Sequence, residues 1–200
     1  MFKIGLTGQT GAGKTTFARY LEKYGFEHID TDKTAREIIP ETLDRLTEEF
    51  GNDILFSDGT LNRKALAKKA FSSEKKTKAL NAITHPAIMK KVFEQINEAE
   101  KRGARGVVVD GAALIESGAM KDFDTSVCVV ADREIRKKRI RERDKLSEDE
   151  AETRLRGQKD ESFYISNTEH KIVNNTAAEF EEQADRLMKE YNFYPAKEEK

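Results

Sequence analysis

Eight consecutive residues, Gly8-Gln9-Thr10-Gly11-Ala12-Gly13-Lys14-Thr15, satisfy the spacing G-x-x-x-x-G-K-[ST] in full. Glycines without a Cβ let successive backbone N–H groups curl around phosphate oxygens, and the N-terminus of a following helix adds favourable partial positive charge. Lys14 is placed to reach the β- and γ-phosphates of ATP, and the Thr15 hydroxyl to ligate magnesium bridging those phosphates. The predicted nucleotide-binding set is therefore Gly8, Gly11, Ala12, Gly13, Lys14, Thr15 and Thr16. A bare glycine-rich turn is the alternative, and the complete motif in a strand-loop-helix setting speaks against it.

Phosphoryl transfer is mostly positioning and charge stabilisation, so an acceptor-side base and further cations are expected nearby. Asp30-Thr31-Asp32 follows the second apolar run, where carboxylates project from the carboxyl edge of a parallel sheet. Asp32 can take the proton of an attacking hydroxyl there, or either Asp can simply cap the next helix. Asp110 ends another apolar run and has the position of a Walker B carboxylate for magnesium, although Asp110-Gly111 also reads as an ordinary turn. A basic segment carries Arg136, Lys137, Lys138, Arg139, Arg141 and Arg143, with Arg139 and Arg143 on one helical face. It reads as a cationic lid over ATP or as a solvated charged face. No guanine-reading N-K-x-D segment follows the late apolar runs, which argues against a regulatory GTPase.

The positioning elements follow from periodicity. Phe2 to Thr7, Phe26 to Ile29, Val107 to Val109, Val127 to Val130 and Lys171 to Val173 are short apolar runs separated by helical patterns, the signature of a buried parallel sheet. Leu43, Leu46 and Phe50 share one helical face, and Ile88, Met89, Val92, Phe93 and Ile96 share another. Arg133 to Arg143 predicts a basic helix, and Phe180, Ala184, Leu187, Met188 and Tyr191 a closing amphipathic one. The expected fold is α/β: a three-layer P-loop NTPase with a five-stranded parallel sheet, an inserted helical substrate lobe and a lid. Its core covers 1–39, 106–132 and 158–195, the lobe about 40–105 and the lid about 133–157.

Composition bounds the partners. The 200 residues hold 36 Lys plus Arg against 37 Asp plus Glu, a formal net charge of -1, so neither nucleic acid nor an anionic membrane is implied and any anion site must be local. The single cysteine, Cys128, cannot form an internal disulfide and has apolar neighbours that suggest a core thiol. No secretory leader or long apolar span is apparent, so a soluble cytoplasmic protein is expected, with the oligomeric state open. Residues 196–200 read as a solvated tail.

The order of several short signatures resembles the dephospho-CoA kinase family. These are Ile4-Gly5-Leu6-Thr7-Gly8 into the phosphate loop, Asp30-Thr31-Asp32 with Ala35-Arg36-Glu37, Phe50-Gly51, Asp58-Gly59 with Leu61-Asn62-Arg63, Phe71, and His85-Pro86. Leu114-Ile115-Glu116, the arginine-rich segment and Gln158 follow. The resemblance implies transfer of phosphate from ATP to the ribose 3'-hydroxyl of dephospho-CoA, the last step of coenzyme A synthesis. It also implies Asp32 as general base, Arg139 as a lid arginine, Arg63 and His85 on the substrate side, and Asn175 near the adenine. Pro86 otherwise reads as the first turn of a helix, Arg63 as a surface residue and Asn174-Asn175 as a polar turn. Ala112-Ala113-Leu114-Ile115 and Glu169-His170 depart from the family pattern, and neither removes a group needed for transfer. A kinase of another small metabolite, such as a nucleoside monophosphate, or a nucleotide-binding regulator are the other readings.

Overall fold

The apolar runs form a five-stranded parallel sheet in the computed structural model, which describes residues 1–111 and 114–195. The strands are β1 (Phe2–Thr7), β2 (Phe26–Asp30), β3 (Gly106–Asp110), β4 (Thr125–Val130) and β5 (His170–Val173), in the order β2-β3-β1-β4-β5. In register, Leu6 of the central β1 stands opposite Asp110 on one side and Val127 on the other. The helices are α1 (Lys14–Tyr20), α2 (Thr31–Glu37), α3 (Ile39–Phe50), α4 (Arg63–Ala70), α5 (Glu74–Lys101), α6 (Arg133–Asp144), α7 (Glu148–Arg156), α8 (Glu161–Ser166) and α9 (Ala177–Glu190). The predicted tail and the Ala112-Ala113 departure lie outside the described residues.

Two compact units result, Met1–Ile29 with Glu98–Lys200, and Asp30–Asn97. In the first, every residue of β4 is buried, which explains its unbroken apolar sequence. Ile4, Leu6, Val108, Val127 and Val129 meet Phe17 and Leu21 below the phosphate loop and Phe180, Ala184, Leu187 and Met188 of α9. Each such large side chain contributes about 1.5–3 kcal/mol on burial. Cys128 is a core thiol, as its neighbours suggest, and burial pushes its pKa up.

In the second unit, Thr42, Leu46 and Phe50 are the buried face of α3, and Gly51 ends it at φ 86. Leu46 and Phe50 pack with Ile54, Leu66, Ala70 and Ile83. The Asp58-Gly59 turn is real: Phe56 N–H donates to Thr60 O at 2.8 Å, and Asp58 Oδ1 accepts from Thr60 N–H at 2.9 Å. The alternative reading of Pro86, as the first turn of a helix, is overturned. The residue sits inside the 28-residue α5, not at a helix start. Flanking turns on both sides tolerate one missing N–H rung because Val92, Ile96 and Ala99 bury a continuous face beyond it.

A polar seam ties α9 to α1 and the single 3₁₀ turn that continues it through Tyr24. Asp185 Oδ1 accepts from Tyr20 Oη and Tyr24 Oη, both at 2.7 Å, and lies 3.0 Å from Lys23 Nζ. Burial alone would raise the Asp185 pKa, but the two hydroxyls and the ammonium outweigh it and hold the carboxyl below its ordinary 3.8. A carboxyl depressed in the folded state stabilises above its unfolded pKa and loses that contribution as pH falls through the folded value. Asp185→Asn is therefore expected to lower the urea midpoint at pH 7, and to flatten the loss of stability below about pH 4 relative to the parent. Paired denaturation curves across pH measure this; parallel curves for the two proteins would refute it.

Candidate active site

The phosphate loop curls because its neighbours leave no room for side chains. A Cβ on Gly8, at φ 137, would lie 2.3 Å from the Val129 carbonyl oxygen. One on Gly13, at φ 104, would lie 1.9 Å from Asn174 Nδ2. Gly13 caps the N-terminus of α1, so the first helical amides and the loop amides converge on one concavity, a ready anion site. Ala12 is fully buried, while Thr15 and Thr16 are exposed at the start of α1. Lys14 Nζ donates to Gly8 O at 3.1 Å, a neutral partner, and makes no ion pair among the described residues.

A cavity of about 760 Å³ opens over this loop, lined by Thr10, Lys14, Thr15, Arg19, Arg139 and Arg143 among others. The basic helix reaches it selectively. Lys137 and Arg141 are bound to Glu148 of α7, at 3.1 and 2.7 Å, and Arg133 is bound to Glu152. Arg143 grips its neighbour Asp144 through Nε and Nη2, both at 2.8 Å. Arg136, expected among the lid cations, is buried instead, with Nε donating to Ala131 O at 3.0 Å. Its backbone packs against Gly11, and its buried side chain is not among those that line the cavity. Arg139 is different. Among the described residues its guanidinium contacts neutral acceptors, Gly11 O, Ala12 O and Asn174 Oδ1, and burial holds its pKa below the ordinary value.

A second cavity of about 460 Å³ continues from Gly13, Thr16 and Arg139 to Tyr20, Asn174 and Phe180, with Arg19 lining both. Its wall includes Asn174, whereas the predicted Asn175 turns its Oδ1 to the Asp132 N–H at 2.9 Å. Asp110 ends β3 half-buried, with His28 Nε2 3.9 Å from its Oδ2. Its carboxylate and the Thr15 hydroxyl are hard oxygen donors of the kind magnesium takes. In the other unit Asp30 is the helix cap, its Oδ1 accepting from Asp32 N–H at 2.9 Å and Lys33 N–H at 3.3 Å. That division leaves the exposed Asp32 carboxylate uncommitted among the described residues. Arg63 is exposed at the start of α4, which Asn62 caps, and His85 is half-buried within α5.

A strand, a complete phosphate loop and a helix, with cations around a polyphosphate-sized cavity, can bind a nucleoside triphosphate and stabilise a transferring phosphoryl group. A family model described as dephospho-CoA kinase matches residues 2–182. The chain belongs to the dephospho-CoA kinase family. A dephospho-CoA kinase of Corynebacterium glutamicum is 40% identical over 194 residues, covering 95% of this chain and 97% of that protein. Among solved structures, one from Thermus thermophilus superposes with a TM-score of 0.84 at 28% identity, covering 96% of this chain and 98% of its own. The dephospho-CoA kinase from Campylobacter jejuni gives 0.57 at 26% identity, covering 94% and 96%.

The dephospho-CoA kinase match runs through both compact units, so it embraces the helical unit as well as the phosphate loop. Sequence reasoning missed Arg19, Asn174 and the way Gln158 engages the loop. Gln158 Oε1 accepts from Thr10 N–H at 3.0 Å, and Gln9 Nε2 donates to Lys159 O at 2.9 Å. Arg19 was legible as the cation one turn beyond Thr15 and Thr16 on α1, since residues three and four apart share a helix side. The other two act across more than a hundred residues of chain, where no local pattern reports them.

Gly8→Ala tests the packing of the loop. The clash is with backbone, which cannot swing aside, so the variant is expected to lose about 1–3 kcal/mol of stability. Its ATP affinity, by calorimetric titration, should fall at least about tenfold, the effect of some 1.4 kcal/mol of lost binding. Unchanged affinity would show that the loop does not hold the nucleotide.

Proposed function

We propose that this chain transfers the γ-phosphoryl group of ATP to the ribose 3'-hydroxyl of dephospho-CoA, giving CoA and ADP in the last step of coenzyme A biosynthesis. The observation that carries the reading is a phosphate loop where Lys14 and Arg139 meet neutral partners among the described residues, in a chain whose family match extends over the helical unit too. The 3'-oxygen attacks the γ-phosphorus, the bond from that phosphorus to the β,γ-bridging oxygen breaks, and ADP leaves with the bond's electrons. The hydroxyl proton passes to the Asp32 carboxylate. Lys14 and Arg139 offset charge on the phosphoryl oxygens, where a fixed cation in a water-poor site is worth most. Gly8, Gly11, Ala12, Gly13, Thr15 and Thr16 hold the phosphates through backbone and hydroxyl donors.

Magnesium completes the proposal: the Thr15 hydroxyl and the Asp110 carboxylate would hold it, and it would supply charge neutralisation to the transferring phosphate. Arg63 and His85 serve the acceptor side, with the helical unit as the lobe that selects it, and α6 with α7 serves as the lid. Asn175 supports the adenine side through its hold on Asp132 at the head of α6. No helix among the described residues is long and apolar enough to cross a membrane. A cytoplasmic location, suggested by the lone buried thiol, belongs to the same proposal.

The deciding assay incubates ATP, magnesium and dephospho-CoA with the protein and follows the acceptor by mass spectrometry. A gain of one phosphate that depends on protein is expected, with nucleoside monophosphates inert as acceptors; phosphorylation of those instead would transfer the reading to another metabolite kinase. Asp32→Asn should cut kcat by about 10²–10⁴-fold, the usual worth of general-base catalysis, with ATP affinity retained. Full activity in that variant would remove Asp32 from the mechanism. Chelation should abolish turnover and added magnesium restore it, whereas turnover persisting in excess chelator would refute the metal assignment.

A further inference from the structure

We propose that Asn174 is a positioning residue for phosphoryl transfer, its one amide group holding the Arg139 guanidinium and the phosphate-loop backbone in fixed register. The inference rests on the proposed role of Arg139.

Asn174 is set in place from behind. It follows the last residue of β5, and its backbone N–H donates to Val130 O at 2.8 Å, carrying the β4-β5 ladder one residue past the strands. The residue is 5% exposed, so its side chain has few ways to turn. Nδ2 donates to Ala12 O at 2.9 Å, and Oδ1 accepts from Arg139 Nη2 at 3.4 Å. The orientation is dictated by both partners. A flipped amide would set oxygen against the Ala12 carbonyl and an N–H donor against a guanidinium that can only donate. Arg139 Nη1 meets the same stretch of loop, at 3.3 Å from Ala12 O and 3.4 Å from Gly11 O. Ala12 O thus receives both the amide and the arginine, and the three groups form a closed triangle over the loop.

The chemistry of this triangle suits a charge that must be ready but not spent. Guanidinium presents its donors in a rigid fork, so fixing one arm orients the whole cation. The acceptors are neutral and the contacts long, so the arginine is oriented without being neutralised, and its charge stays available to phosphate oxygens. Preorganisation of this kind acts on the chemical step more than on acceptor binding. Gly13 belongs to the same device, since the space of its absent Cβ is occupied by the Asn174 amide.

The test is a double-mutant cycle of Asn174→Ala and Arg139→Ala, read as kcat and as separate KM values for ATP and dephospho-CoA. Arg139→Ala is expected to lower kcat about 10²–10³-fold. Asn174→Ala should lower it about tenfold, with the KM for dephospho-CoA changed less than about twofold, and should add less than about twofold in the Arg139→Ala background. Asn174→Asp sets a carboxylate oxygen against the Ala12 carbonyl and pairs the Arg139 charge, so it should lower kcat at least about tenfold, no less than Asn174→Ala. It also serves should Asn174→Ala not fold: a folded Asp variant with kcat within about threefold of the parent would overturn the inference. A tenfold loss from Asn174→Ala that persists without Arg139 would overturn it too, marking a merely structural residue and leaving the Arg139 reading intact. Full activity in Arg139→Ala would remove both.

Discussion

The closeness of the phosphate loop to three separate segments is the constraint on which the nucleotide half depends. The Val129 carbonyl, the Arg136 carbonyl and the Asn174 amide each stand where a side chain on Gly8, Gly11 or Gly13 would be. Three glycines at positive φ are therefore needed twice over, once for the curl of the loop and once for the approach of its neighbours. The neighbours are themselves held by burial or by the sheet ladder. Val129 is on a strand with every residue buried, Arg136 is a buried position of α6, and Asn174 extends the last sheet ladder. A loop clamped in this way presents its amides to an anion without first having to order them.

Charge in the same unit is governed by what lies opposite each side chain. The segment through α6 and α7 is crowded with arginine, lysine and glutamate, and exposed pairs of that kind add little stability each. Their consequence is selective. Glu148, Glu152 and Asp144 commit Lys137, Arg141, Arg133, Arg143 and Arg154 to one another's company. Arg139 faces backbone carbonyls and an amide instead, and so keeps its charge at the cavity. The apolar contacts of Ile140, Leu146, Ala151 and Leu155 hold the two helices together and fix which faces carry this pairing.

The helical unit shows a similar division on a smaller scale. Two aspartates two residues apart compete for one helix terminus, and the geometry of the N-cap admits only the one with extended backbone, Asp30 at ψ 111. Asp32 is already helical and cannot fold back to the same amides, so its carboxylate is turned to solvent.

The sequence by itself determined the strands, the phosphate loop, the amphipathic faces of α3 and α9 and the family. These are local: a period of apolar residues or a fixed spacing of glycines and lysine is complete within a few residues of chain. Element ends shifted by a residue or so, as at β3 and β5, because the sheet ladder continues wherever a neighbour offers a partner. What the sequence left undetermined were the choices between equivalent residues. Asp30 rather than Asp32 became the cap, Asn174 rather than Asn175 lined the second cavity, and Pro86 fell within a helix rather than at its start. Each was decided by groups brought next to it by the fold from far along the chain or by the direction of one backbone turn, and neither is written in the identity of the residue concerned.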